Sequence, residues 1–163
     1  MWSKDGQAAR FAAVLAALNP QPGETLLDFG CGTGAFYEHV PSVVVYLGHD
    51  WSRGMIARAR REHPDGEYTS ALPPGPFDLV ACIGPFNLRE NWSAARTWET
   101  LQGLWMRCSR ALAVSLYRGL DPDCLIYTPE EIAAEAAAFP NATAAVTYPR
   151  QNDVMLTLTR TAP

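Results

Sequence analysis

The chain reads as a doubly wound α/β sheet, and three observations predict it. Short apolar or β-branched runs alternate with stretches of helical periodicity from one end to the other. The first such run, "TLLDFG", breaks into a glycine-rich turn. The last two runs are joined by nothing longer than "PRQND". Alternation of this kind gives a parallel sheet with helices on both faces, and a hairpin connection forces its two strands to pair antiparallel. The expectation is a mostly parallel seven-stranded sheet with an antiparallel last strand.

The elements follow in order. "DGQAARFAAVLAAL", Asp5 to Leu18, has helical spacing and stops at "NPQPG". Thr25 to Gly30 is a buried strand, and "TGAFYEHV", Thr33 to Val40, is predicted as a helix closed by Pro41. Val43 to Asp50 is a β-branched strand; Ser52 to His63 is a helix that Pro64 ends. "GEYTSA" is a short strand and "FDLVACIG", Phe77 to Gly84, a stronger one. Asn91 to Ser109 is predicted as a helix and Ala111 to Tyr117 as a strand. "TPEEIAAEAAAF" opens on a capping box, with Thr128 as cap, Pro129 first in the helix and Glu131 third. "ATAAVTY" and "DVMLTLTR" supply the final two strands. With 163 residues the expectation is one domain, residues 1–20 forming an N-terminal helix or lid and 21–163 the core.

Composition excludes several classes. The formal net charge is -4 and the basic residues form no dense block, so bulk nucleic acid is not an expected partner. Arg58, Arg60 and Arg61 read as the solvated face of a helix. Cys31, Cys82, Cys108 and Cys124 lack metal-ligand or disulfide-framework spacing, which fits thiols in a reducing cytoplasm and no metal site. The opening "MWSKDGQAARF" lacks the apolar run of a signal peptide, and no stretch reaches membrane-spanning length.

The chemistry concentrates where the first two strands end. In doubly wound sheets ligands sit beyond the carboxyl ends of the strands. Gly30, Gly32 and Ala35 satisfy G-x-G-x-x-G/A, and the same residues read D-x-G-x-G-x-G from Asp28 to Gly34. Asp50 closes the second strand at the spacing at which an acid takes both hydroxyls of a ribose. A carboxylate just ahead of the turn suits a cationic ligand and repels a pyrophosphate.

With those residues in view, "LLDFGCGTGAF", "LGHDWSRGMIARAR" and "FDLVACIGPFNL" resemble motifs I, II and IV of class I S-adenosylmethionine-dependent methyltransferases, which have a Rossmann-like fold. The resemblance runs from the first helix to Arg160 and is closest to a small bacterial-type group with "SGxFN" at the position of "IGPFN". It implies S-adenosylmethionine as cofactor. Asp28 with the turn Gly30, Cys31, Gly32 and Gly34 would hold the methionine part, and Asp50 the ribose. Trp51 and Met55 would flank the adenine, with Ile83 at the end of the fourth strand completing the site. The acid that many relatives place after the third strand is absent; Ser70 and Ala71 stand there instead.

The acceptor is not written in the same residues. Amino methyltransferases often carry Asn/Asp/Ser-Pro-Pro-Tyr/Phe after the fourth strand. Here Gly84-Pro85-Phe86 keeps the proline and the aromatic without the polar residue. Asn87 is the candidate that orients an acceptor, with turn capping as its alternative role. Phe86 and Tyr117 are candidate substrate contacts. No inserted cap is visible, leaving the segment around Trp2 and the stretch Leu88 to Trp92 as lids, and a site open to a large substrate, a partner subunit or a second copy. Two other readings stand beside methyl transfer: an NAD-dependent oxidoreductase, and a non-catalytic cofactor-binding or scaffold subunit.

Overall fold

The computed structural model describes residues 4–161. The predicted lid around Trp2 lies outside them. The elements are α1 (Lys4–Leu18), β1 (Thr25–Phe29), β2 (Val45–His49), α2 (Arg53–Glu62), β3 (Glu67–Thr69), β4 (Phe77–Ile83), α3 (Ala94–Trp105), β5 (Cys108–Tyr117), α4 (Pro129–Ala136), β6 (Ala142–Arg150) and β7 (Asp153–Arg160). They build one seven-stranded sheet in the order β3-β2-β1-β4-β5-β7-β6. β1 to β5 are mutually parallel, and β7 runs antiparallel to both β5 and β6. The reversal of strand order falls between β1 and β4, so the carboxyl ends of these strands form the crevice where such sheets bind ligands.

The sheet separates two apolar layers. On one face Phe11, Val14 and Leu18, spaced as one stripe of α1, pack with Ile56 and Ala59 of α2 over Leu26, Leu79 and Ala113. On the other, Trp98, Leu101 and Trp105 of α3 and Ile132 of α4 cover Leu27, Val80, Leu112 and Leu156. The central strands are buried on both faces, which is why they read as unbroken apolar runs. The capping box of α4 forms: Glu131 N–H donates to Thr128 Oγ1 and Thr128 N–H to Glu131 Oε2. Among the described residues no helix is long and apolar enough to cross a membrane.

Two predicted helices depart from the sequence reading. The helix predicted over Thr33–Val40 is a single 3-10 turn, Tyr37–His39. Gly34 sits at φ +80°, and Pro41 follows closely. Too few residues lie between them to nucleate an α-helix. The helix predicted from Asn91 to Ser109 is shorter at both ends: Ser93 caps it by accepting from Arg96 N–H, and Cys108 already pairs with Phe77 in the sheet. The last strand is antiparallel as expected, and it lies inside the sheet with β6 outside it.

Candidate functional site

The turn after β1 is built by three glycines with positive φ, and their neighbours give them different work. A Cβ on Gly30 would meet Pro85 at 2.5 Å, and one on Gly34 would meet the Tyr68 ring at 2.8–3.0 Å. These two are glycines because the protein's own atoms fill the space. A Cβ on Gly32 would meet nothing within 4 Å. Only at Gly32 does the missing side chain leave an open approach to the backbone.

Asp50 braces that turn. Its Oδ2 accepts from Gly32 N–H at 3.0 Å and its Oδ1 from Ser52 N–H at 2.8 Å. Both bonds hold the carboxylate at the carboxyl end of β2, next to the open glycine. Each oxygen keeps a lone pair for a further donor.

Asp28 lies on β1 just before the turn and is 2% exposed. Tyr46 of β2 donates its hydroxyl to Asp28 Oδ2 at 2.8 Å. Burial pushes the Asp28 pKa up to about 7, Asp50 adds to the rise, and the Tyr46 hydrogen bond opposes it. Burial also raises the Cys31 thiol, with the two carboxylates acting in the same direction, so it is no ready nucleophile.

A cavity of about 170 Å³ opens here, lined by Asp28, Gly30, Cys31, Gly32 and Ile83 and, from α1, by Gln7 and Phe11. Five of the predicted site residues therefore share one pocket. The sequence reading missed Gln7, Phe11 and Tyr46. Phe11 shows a signal as part of the apolar stripe of α1; nothing in the local sequence marks Gln7 or Tyr46, which reach the site through the tertiary fold.

The other candidates scatter around it. Trp51 and Met55 are 49% and 44% exposed, so neither is core packing. Trp51 stands edge-on to Trp92 at 5.6 Å and beside Phe29 at 6.2 Å. With His49, Leu72 and Arg96 these aromatics line a second cavity of about 440 Å³. Ser70 and Ala71 are exposed after β3, and Ala71 N–H donates to Thr69 Oγ1. Phe86, a candidate substrate contact, is fully buried against Phe29 and Trp92. Tyr117 is turned into its own loop, accepting from Asp121 N–H. Asn87 is 5% exposed, and its Oδ1 has no hydrogen-bond partner although it is buried. Its carbonyl accepts from Leu125 N–H, and the adjoining Leu88 bridges to Cys124, so the loops after β4 and β5 are zipped together.

No protein-family profile matches the sequence, and no curated protein matches it. Solved structures do match. Magnesium protoporphyrin IX methyltransferase (ChlM) from Synechocystis PCC 6803, solved with bound SAM, superposes with a TM-score of 0.76 at 17% identity, over 95% of this chain and 79% of its own. The sugar N-methyltransferase KedS8 from Streptoalloteichus sp ATCC 53650 gives 0.73 at 16% identity, over 95% and 88%. The Haloferax volcanii protein solved in complex with the Trm112 methyltransferase activator gives 0.76 at 14% identity, over 98% and 92%. At these identities the likeness establishes the fold: the chain has the Rossmann-like fold of class I S-adenosylmethionine-dependent methyltransferases.

Proposed function

We propose that the chain binds S-adenosylmethionine at the turn Gly30–Gly34 and transfers its methyl group to an acceptor entering over the carboxyl ends of β1 and β4. The observation that carries this reading is the juxtaposition of an open backbone at Gly32 with a buried carboxylate at Asp28. A buried acid with a raised pKa is costly to ionise alone and is relieved by a cation beside it. The methionine end of the cofactor brings an ammonium and a sulfonium; a dinucleotide would bring a pyrophosphate. The residues present therefore fit the methyl donor and disfavour NAD.

Asp28 and the Gly32 backbone would take the amino-acid end, with Gln7 closing that side, while Asp50 would use its free lone pairs on the ribose hydroxyls. Trp51 would cover the adenine, with Met55 at its edge, near Ser70 and Ala71. Bound there, the cofactor supplies a methyl group activated by a good leaving group, so the protein's work is positioning and exclusion of water. Asn87, with an unmatched buried carbonyl oxygen, would orient an acceptor's N–H or O–H. Among the described residues no inserted cap stands over the site, which suits a large acceptor or an accessory subunit. The Haloferax volcanii neighbour with its activator supports the second possibility.

Calorimetric titration with S-adenosylmethionine, S-adenosylhomocysteine and NAD tests the reading. Saturable binding of the first two and none of NAD is expected. Binding of NAD alone would overturn it.

A further inference from the structure

The two margins of the sheet are unlike. β3 is three residues long, and Arg60 of α2 donates to its Tyr68 carbonyl at 2.6 Å, so that margin is short and capped. β6 is nine residues long and outermost on the other side. Among the described residues no strand or side chain is hydrogen-bonded to its outer backbone groups from Ala142 to Tyr148. A long unpaired edge is a template for another strand, and proteins ordinarily guard it with charge, proline or a covering element. The run "ATAAVTY" has no charge or proline; Pro149 and Arg150 come only at its end, where the ladder slips in register. No element covers it: Thr143, Ala144, Ala145 and Thr147 are exposed, and Tyr148 is half-exposed with Arg118 over its ring at 5.0 Å.

We infer that this edge pairs with the same edge of a second copy, antiparallel about a two-fold axis at Ala145. Opposed residues in an antiparallel pair must point to the same face, which restricts the axis to whole residues. Centring on Ala145 pairs the whole uncharged run with itself. Thr143 then stands opposite the second copy's Thr147, Ala144 opposite Val146, and Ala142 opposite Tyr148. Each larger side chain meets a small one, and the threonines meet each other, which are favourable cross-strand combinations. No like charges face each other. Centring one residue further along would bring Pro149, which cannot donate, and Arg150 into the ladder.

A seven-residue strand pair alone is a modest interface. Beside its Tyr148 end lies an apolar groove of about 340 Å³ between Ala13, Ala16 and Ala17 of α1 and Pro149. In this register the second copy's Pro140–Asn141 turn arrives at the mouth of that groove. The interface is isologous and closed, so assembly stops at two. The carboxyl ends of the two sheets point in opposite directions, leaving both cavities open. The inference does not depend on what the cavity binds.

Sedimentation equilibrium of the purified chain from about 1 to 100 µM tests it, since mass action makes the population concentration-dependent. The wild type is expected to populate a dimer and Ala145→Lys to lose association by roughly tenfold or more, because like charges would face each other at the axis. Ala145 is exposed, so the variant's circular dichroism and melting should match the wild type. Register is read by cross-linking with copper(II)-phenanthroline in air, in which two thiols give up their hydrogens to dioxygen. Ala145→Cys should form a covalent dimer, while Thr143→Cys alone should not and Thr143→Cys with Thr147→Cys should. A wild type that stays monomeric throughout, a dimer indifferent to Ala145→Lys, or equal cross-linking at 143 and 145 each overturns the proposal.

Discussion

At Gly32 the missing Cβ leaves open space, whereas at Gly30 and Gly34 it leaves room for Pro85 and Tyr68. Substitutions should divide accordingly. Gly32→Val is expected to fold, with a local strain of about 1 kcal/mol from its positive φ, and to lose S-adenosylhomocysteine binding in calorimetry. Gly30→Ala is expected to lower the melting temperature before any ligand is added. Asp50→Ala should weaken S-adenosylhomocysteine by about 30- to 1000-fold, the loss of two charge-assisted hydrogen bonds partly offset by water. Because Asp50 also braces Gly32, Asp50→Asn, which keeps one acceptor, should lose less. Asp28 carries a pH signature. Its folded pKa of about 7 stands above the ordinary aspartate value of 3.8, so between those values the folded chain keeps a proton that the unfolded chain has lost. On this group's account stability falls as pH rises through that window. Thermal melts at pH 5 and pH 8 should show the fall, and Asp28→Asn should remove it. Cofactor affinity should move oppositely, rising as Asp28 ionises. Affinity independent of pH around 7 would separate Asp28 from the cation. The glycines and both acids were legible in the sequence, but not the distinction between them, since Pro85 and Tyr68 arrive from β4 and β3.

Among the elements, the strands read well because buried parallel strands are continuous apolar runs, and α4 because its capping box is local. The failed helix after β1 was illegible for a physical reason: "TGAFYEHV" has acceptable propensity, and what interrupts it is the positive φ of Gly34, whose place against the Tyr68 ring leaves no room for a side chain. Gln7 joins the pocket because α1 is fastened across the sheet. Arg10 donates to Asp153 of β7 at 2.9 Å, and both side chains are buried. Breaking a buried ion pair is destabilising. Asp153→Ala is therefore expected to lower stability in urea titration and to weaken S-adenosylhomocysteine binding, although Asp153 does not line the pocket. The loop after β4 tests Asn87. Asn87→Ala should lower turnover, once an acceptor is identified, with cofactor affinity nearly unchanged. Equal losses of activity and melting temperature would make its side chain a turn element and not an acceptor contact.

Over the whole molecule, alternation of strand and helix was sufficient to foresee a seven-stranded mixed sheet, since the handedness and hairpin rules leave few topologies. The insertion of β7 between β5 and β6 was not legible, because a hairpin fixes which strands pair and not which of them joins the existing sheet. The Arg10–Asp153 pair ties these scales together in time. The glycine turn and both acids are synthesised early, yet the pocket's α1 wall is anchored by a strand made more than a hundred residues later. A nascent chain on the ribosome thus exposes the turn before the ion pair that ties α1 to β7 can form. If the cavity takes the cofactor as proposed, full affinity would come only after the last strand is delivered, and the ligand would favour chains whose final hairpin is in place.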